Sequence, residues 1–488
     1  MTKHLSIDLG ASGGKAFLGE VGSNRFSIQE IHRFDNEPRE RNNRYTWNFS
    51  RLFAEILKSL EIAGGKHPDL DSIGIDGWGV DFGLLGFDGK LLQDPYSYRD
   101  PLITSTEEQV FKEMPRKEVF KETGINHLNV PNTLFQYHYL SRKESDLLKK
   151  AEKAVMLPQL LSHLLGGKIC TEETLASTTQ MMNVHTRTWS EKIGEKLDLP
   201  IEKLPNIEKA STRIGTVRDN YDNTSSETDI VLPASHDTGA AVVGAPLTEK
   251  SKAFLSTGTW FIVGIELPDP LLTDEAYKIG GANEAGVEGT TRFLKNVTGF
   301  FIFEECRKKW KDEGKTYKYE ELLNEISETD PFGPLIDPDD SRFTSVRSDM
   351  PETVRNYCRE TNQEIPESIG EISRCIFESL SAKTALVLEE LFKVTGRSSE
   401  VLHLVGGGAR NEIFCQMISS ATGHPVESGP VESAAVGNIL TQSKAYPVLN
   451  SIKEGRRMVE KSTDLQKYWP ENQNKWKESK SRMSEITS

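Results

Sequence analysis

The stretch with the clearest chemical potential is ASHDTGAAVVGAP, residues 234–246, where Asp237 stands between His236 and Thr238 and a run of tiny residues follows. A carboxylate so placed can take a proton from an alcohol, or it can cap the start of a helix. Gly239, Ala240, Ala241 and Gly244 would let a backbone or a ligand approach closely. Four glycine-rich stretches accompany it: DLGASGGK (Asp8–Lys15), GWGVDF (Gly77–Phe82), STGTW (Ser256–Trp260) and VGGGARN (Val405–Asn411).

Each of the four admits more than one reading. DLGASGGK does not fit a P-loop, because Gly10 to Gly14 is one residue short and Ala16 replaces the hydroxyl that would meet magnesium. Gly10-Ala11-Ser12-Gly13-Gly14 matches the GxSxG of a hydrolase elbow, which must lead into a helix. The following KAFLGEV reads as a strand instead. What remains is a hairpin turn, either plain or one whose N–H groups hold nucleotide phosphates with Ser12 and Lys15. Asp8 would then be near enough to hold Mg²⁺ through water. STGTW repeats that context and would meet the same phosphates. VGGGARN carries only part of a dinucleotide fingerprint, with Asn411 in place of the third glycine and Glu427 at ribose distance. A glycine shelf for a nucleoside fits it equally. In GWGVDF, Trp78 is either a core tryptophan or the wall of a small-molecule pocket, with Asp81 or the Gly79 backbone bonding hydroxyls.

Those stretches need elements to position them. HLSIDLG, KAFLGEV and RFSIQEIHRF read as a strand meander. Phe49, Leu52, Phe53, Ile56, Leu57 and Leu60 have helical spacing, with Gly64-Gly65 as the expected stop. KAFLSTGTWFIVGIEL, residues 252–267, repeats the opening pattern. A long helix is expected to close at Gly396, and a strand–glycine–helix unit to close at Gly423. The tail from about residue 470 reads as a surface helix. Two α/β halves, residues 1–244 and 245–488, each opening strand–turn–strand, imply a duplicated fold with a cleft between the halves.

Composition narrows the function. The chain has 488 residues, and its net charge of −14 argues against a nucleic-acid partner. No apolar run reaches membrane-spanning length. Five scattered cysteines without a CxxC pair read as cytoplasmic thiols, with Cys358 and Cys375 the one conceivable pair. The histidines show no zinc spacing.

Taken in order, IDLGAS, SIGIDGWGVDF, ASHDTGAA, LSTGTW, FLKNVTGF, DPDDSRF, CRETNQEIPES and LVGGGARN resemble the actin-like carbohydrate kinases named for a Phe-Gly-Gly-Tyr signature, although that signature is not present literally. The resemblance spans residues 7–411. It implies a duplicated two-domain actin-like (ribonuclease H-like) α/β fold, an interdomain catalytic cleft, ATP with Mg²⁺, and γ-phosphoryl transfer to a sugar hydroxyl. It implies Asp237 as proton acceptor, with His236, Thr238, Trp78, Gly79 and Asn296 on the sugar. Ala11, Ser12, Gly13, Gly14, Lys15 and Thr259 would hold phosphates, Glu304 would line the nucleotide site, Gly407 would meet the nucleoside, and Asp8 the metal. Three positions depart from the pattern: Lys15 replaces a usual Arg, Gly77 a usual Thr and Glu304 a common Gln. A lysine neutralises phosphate as a point charge rather than a fork. A monomer or homodimer acting on a ketose is expected; another ketose or polyol, and an actin-like ATPase that is no kinase, are the alternatives.

Overall fold

A computed structural model describes every residue except Asn24, Asn42, 102–105, 127–131, Asp222, Asn223, Ser225, Ser226, 249–251, 345–348 and Ser488. Packing divides the chain into two units that interleave in sequence. The first comprises Met1–Pro246, Glu266–Phe293 and Ser433–Thr463; the second comprises Leu247–Ile265, Leu294–Glu432 and Asp464–Ser488. A single boundary at 244/245 follows the chain rather than the packing. The reason is the helix Ser433–Lys444, buried on nearly every face, which returns to pack on the helix Asp237–Gly244.

The first unit is built on a six-stranded sheet. Its order is Arg213–Thr216, Asp229–Val231, Ser72–Gly77, Thr2–Leu9, Gly13–Val21, Phe26–Asp35. Thr2–Leu9 pairs antiparallel with Gly13–Val21 and parallel with Ser72–Gly77. A parallel neighbour requires a crossover, and the helix Phe49–Lys66 supplies it. Its buried residues Phe49, Leu52, Ile56, Leu60 and Ala63 recur every three or four positions and join Leu5, Ile7, Leu9, Ile73 and Ile75 in one core. The helix runs through Gly64 and Gly65, where a stop was expected, and ends when the His67 N–H reaches back to the Ala63 carbonyl at 2.8 Å.

The second unit repeats the plan. Ala253–Thr257 pairs antiparallel with Trp260–Leu267 and parallel with Leu402–Gly406, inside a sheet of seven strands. The crossover ends in the helix Ile369–Thr395, opened by a Ser368–Glu371 capping box and closed by Gly396 in the left-handed conformation, as its sequence demands. Glu412–Thr422 closes in the same way at Gly423. Gln473–Ile486 is helical, and it buries Trp476 and Met483 rather than lying wholly on the surface.

Candidate active site

Asp237 is the first residue of the helix Asp237–Gly244, and its side chain is 33% exposed. Its Oδ1 accepts from the Thr238 N–H at 2.6 Å and from the Thr238 hydroxyl at 3.2 Å. Most of the small residues behind it serve packing. A Cβ on Gly244 would come within 2.2 Å of the Ser433 carbonyl, and one on Gly437 within 1.9 Å of the Ala240 carbonyl, so two helix backbones cross in contact. The Ser433 hydroxyl seals that crossing by donating to the Ala241 carbonyl at 2.6 Å. The smallness of the stretch is thus spent largely on helix–helix contact, not on room for a ligand.

His236 is 8% exposed and held on both ring nitrogens. Arg292 Nη2 lies 3.2 Å from Nδ1 and 2.7 Å from Glu284 Oε2, while Nε2 faces Asp237 Oδ1 at 3.4 Å. Nδ1 also lies 3.2 Å from Glu284 Oε2, so the ring is held between the Arg292–Glu284 pair on one side and Asp237 on the other. Arg292 and Glu284 are themselves buried. Sequence reasoning passed over both. They lie eight residues apart on neighbouring strands, and nothing local marks them as partners of a residue near 236.

Two further carboxyl groups surround the aspartate. Asp76 is wholly buried and stands beside Asp8 across parallel strands. Burial, then the charges of Asp8 and Asp237, drives its pKa far up, against a stabilising bond from Asn438. Among the described residues its Oδ1 has no hydrogen-bond partner. Glu172 Oε2 collects the N–H groups of Thr174, Leu175 and Ser235 and the Thr174 hydroxyl at 2.6–3.2 Å. Burial nevertheless pushes its pKa up to about 7. The Thr174 hydroxyl in turn accepts from the His236 N–H at 3.2 Å, so Glu172 braces the segment that presents Asp237. A charged residue inside the apolar run SIGIDG was the available signal for Asp76.

The Trp78–Gly79 segment adjoins His236: the Gly77 N–H donates to the Ser235 carbonyl at 3.0 Å, and Gly77 bridges His236. Trp78 is 8% exposed and packs on Trp47 at 4.4 Å. Asp81, expected as a possible hydroxyl ligand, is buried and engaged by two indoles instead.

The first hairpin turns at Gly10–Gly13, with reciprocal backbone bonds between Gly10 and Gly13. Asn36 fastens it through the carbonyls of Ser12 and Gly10 at 3.2 and 3.1 Å. Ser12 is exposed at the tip and Ala11, Gly13 and Lys15 are half-buried, with Lys15 opposite Asp8 in register. A strand, not a helix, follows Ser12, which removes the hydrolase elbow. In the second unit Thr259 is exposed at the tip of its hairpin, and its carbonyl accepts from Gly299 at 3.0 Å. Gly408 N–H donates to the Thr257 hydroxyl at 2.9 Å. Gly407 is exposed with open space where a Cβ would stand. Glu427 is paired with Lys467 at 2.8 Å inside the sheet, and Glu304 with Arg307 at 2.8 Å on its own helix. So Asp237, His236, Thr238, Trp78, Gly79, Asp8 and Ala11–Lys15 share the first unit, and Asn296, Thr259, Glu304 and Gly407 lie in the second.

This arrangement accords with what the chain resembles. Residues 4–244 match the N-terminal domain and residues 253–446 the C-terminal domain of the FGGY family of carbohydrate kinases, and the chain belongs to that family. It is an ATP-dependent sugar kinase. Among its relatives are rhamnulokinases: that of Bacteroides thetaiotaomicron is 37% identical over 473 residues, 96% of each chain. The one from Ligilactobacillus salivarius is 36% identical over 474 residues, again 96% of each. In fold, the chain is similar to a xylulose kinase from Lactobacillus acidophilus (TM-score 0.81, 14% identity, 100% and 97% of the chains). It is also similar to the Plasmodium falciparum glycerol kinase with ADP (TM-score 0.78, 16% identity, 100% and 98%). The fold is therefore the duplicated actin-like α/β fold. No helix among the described residues is long and apolar enough to cross a membrane.

Proposed function

We propose that the enzyme transfers the γ-phosphoryl group of ATP to L-rhamnulose, giving L-rhamnulose 1-phosphate. The carrying observation is the likeness to rhamnulokinases over 96% of the chain. The local geometry supports the chemistry. Asp237 is partly exposed, and its Oδ1 is held by Thr238. The reading gives Oδ2 to the substrate: as the sugar oxygen bonds to the γ-phosphorus and the bond to the β-phosphate oxygen breaks, Oδ2 receives the hydroxyl proton. Phosphoryl transfer of this kind asks mainly for positioning and charge stabilisation. Trp78, Gly79, His236, Thr238 and Asn296 orient the sugar in this reading. Ala11–Lys15 and Thr259 hold phosphates, Gly407 meets the nucleoside, and Glu304 stays with Arg307 until a nucleotide displaces it.

Among the described residues no group of three or more His, Cys, Asp or Glu is placed to hold one metal ion, so a divalent ion would take few protein ligands. That suits Mg²⁺, which keeps waters and phosphate oxygens. The half-buried carboxylate of Asp8 fits it. When bound, Mg²⁺ supplies positive charge to the phosphates. The five cysteines are free and buried, which accords with a cytoplasmic enzyme.

A coupled ADP-release assay over a panel of ketoses and polyols tests the assignment. L-rhamnulose should give the highest kcat/KM. A higher value for L-fuculose, a pentulose or glycerol would replace the sugar and leave the kinase, whereas sugar-independent ATP hydrolysis would favour the actin-like ATPase.

A further inference from the structure

The segment Gly77–Phe82 holds a backbone oddity. Val80 has φ of +75°, and the Asp81 N–H donates to the Gly79 carbonyl at 3.0 Å. Together these make a tight turn centred on Val80, a conformation that is rare and costly for a β-branched residue. Glycines stand at 77 and 79, yet the left-handed position falls on valine. Nearby groups hold it there. The Thr133 hydroxyl and the Gln136 amide donate to the Val80 carbonyl at 2.7 and 3.2 Å. Asp81 then gathers the surroundings. Its Oδ2 accepts from Trp47 Nε1 at 2.7 Å, from Trp78 Nε1 at 3.0 Å and from the Tyr98 N–H at 3.2 Å, and its Oδ1 accepts from Gln136 at 2.8 Å. An indole N–H can only donate, so one carboxylate fixes the in-plane orientation of both tryptophans. On the other side, a Cβ at Gly79 would approach the Thr178 hydroxyl oxygen to 2.7 Å, so that backbone too has one place to be. Strain that is over-determined by its surroundings, beside a site, is the pattern of pre-organisation.

We propose that Asp81 and the strained turn at Val80 are positioning elements of the sugar site: they set where the Trp78 indole and the Gly79 backbone stand, and thereby set ketose affinity. This rests on the reading of Trp78 and Gly79 as sugar contacts. A turn that served only stability would be better built with glycine at 80. The two roles therefore separate. If the turn is structural, Val80→Gly relieves strain and leaves sugar binding alone. If it positions the site, Val80→Gly keeps or raises the melting temperature and weakens the sugar.

The experiment is calorimetric titration of L-rhamnulose and the ketose panel into the full-length enzyme, with and without ADP, alongside thermal melting and the KM for ATP. Val80→Gly should raise the sugar Kd about fivefold or more, and Asp81→Asn, which cannot accept from both indoles and the amide together, about tenfold or more. Both should leave the KM for ATP unchanged. Unaltered sugar binding in Val80→Gly overturns the proposal, and that variant decides the matter alone should Asp81→Asn fail to fold. A parent enzyme that binds none of the ketoses overturns the sugar reading itself, and the proposal with it.

Discussion

The leading hairpins of the two units occupy equivalent places and carry opposite chemistry. In the first, the last two rungs against the parallel strand are Asp8 with Asp76 and Leu9 with Gly77; in the second they are Ser256 with Val405 and Thr257 with Gly406. Carboxylates on one scaffold become a hydroxyl and a valine on the other. The first hairpin also brings Lys15 opposite Asp8, where the second has Phe261 and Ile262 opposite Thr257 and Ser256. Duplication has thus kept the hairpin and divided the charge. In the proposed reading, proton and metal chemistry belong to the first unit and the second offers a neutral shelf of backbone. Burial raises the pKa values of both Asp76 and Glu172 in the first unit, and the charges of Asp8 and Asp237 add to the rise at Asp76.

The sharpest test of that asymmetry is removal of the proposed base, Asp237. Asp237→Asn should lower sugar-dependent ADP release by roughly 10²–10⁴-fold while ATP binding stays intact. Ser256→Ala, on the matching neutral strand, should cost less than about tenfold; an equal loss would erase the contrast. Within the second unit, adjacent glycines should separate fold from ligand. Gly406 has φ of +84°, and a Cβ there would lie 2.3 Å from the Thr257 carbonyl, whereas Gly407 faces open space. Gly406→Ala should destabilise the protein by about 1–3 kcal/mol in denaturant titration. Gly407→Val should leave that midpoint unmoved and raise the KM for ATP several-fold, and a shelf that tolerated valine would not be a shelf.

The smallest effect concerns pH. Glu172 titrates near 7 in the fold against an ordinary value of 4.5, so its protonated form is favoured by folding. The associated stability is complete below about pH 4.5 and is lost as pH rises through 7, at most about 3 kcal/mol. Asp81, with burial raising it to about 6, acts in the same direction. Melting temperature should therefore fall between pH 5 and pH 8, and Glu172→Gln should flatten that slope. A steeper slope in the variant would contradict the assignment.

Much of the scaffold can be read from residue order. The hairpins at Gly10–Gly13 and Gly258–Thr259, the Ser368 cap and the glycine stops at 396 and 423 follow from local rules that the structure obeys. Local rules fail where a residue's partner is far off in sequence. Asp76 stands out as a charge in an apolar strand, but its partner Asp8 lies nearly seventy residues away and only the pairing of the strands brings them together. Glu284 and Arg292 acquire significance through His236, about fifty residues away. The run after Asp237 is the same case: its small residues announce a close approach of backbone or ligand, and the backbone that comes is that of Ser433 and Gly437, which no reading of residues 234–246 could name.

That helix crossing also bears on how the enzyme is made. Asp237 leaves the ribosome well before the helix Ser433–Lys444, so a nascent or truncated chain ending ahead of residue 433 lacks the helix that packs backbone to backbone against the one Asp237 opens.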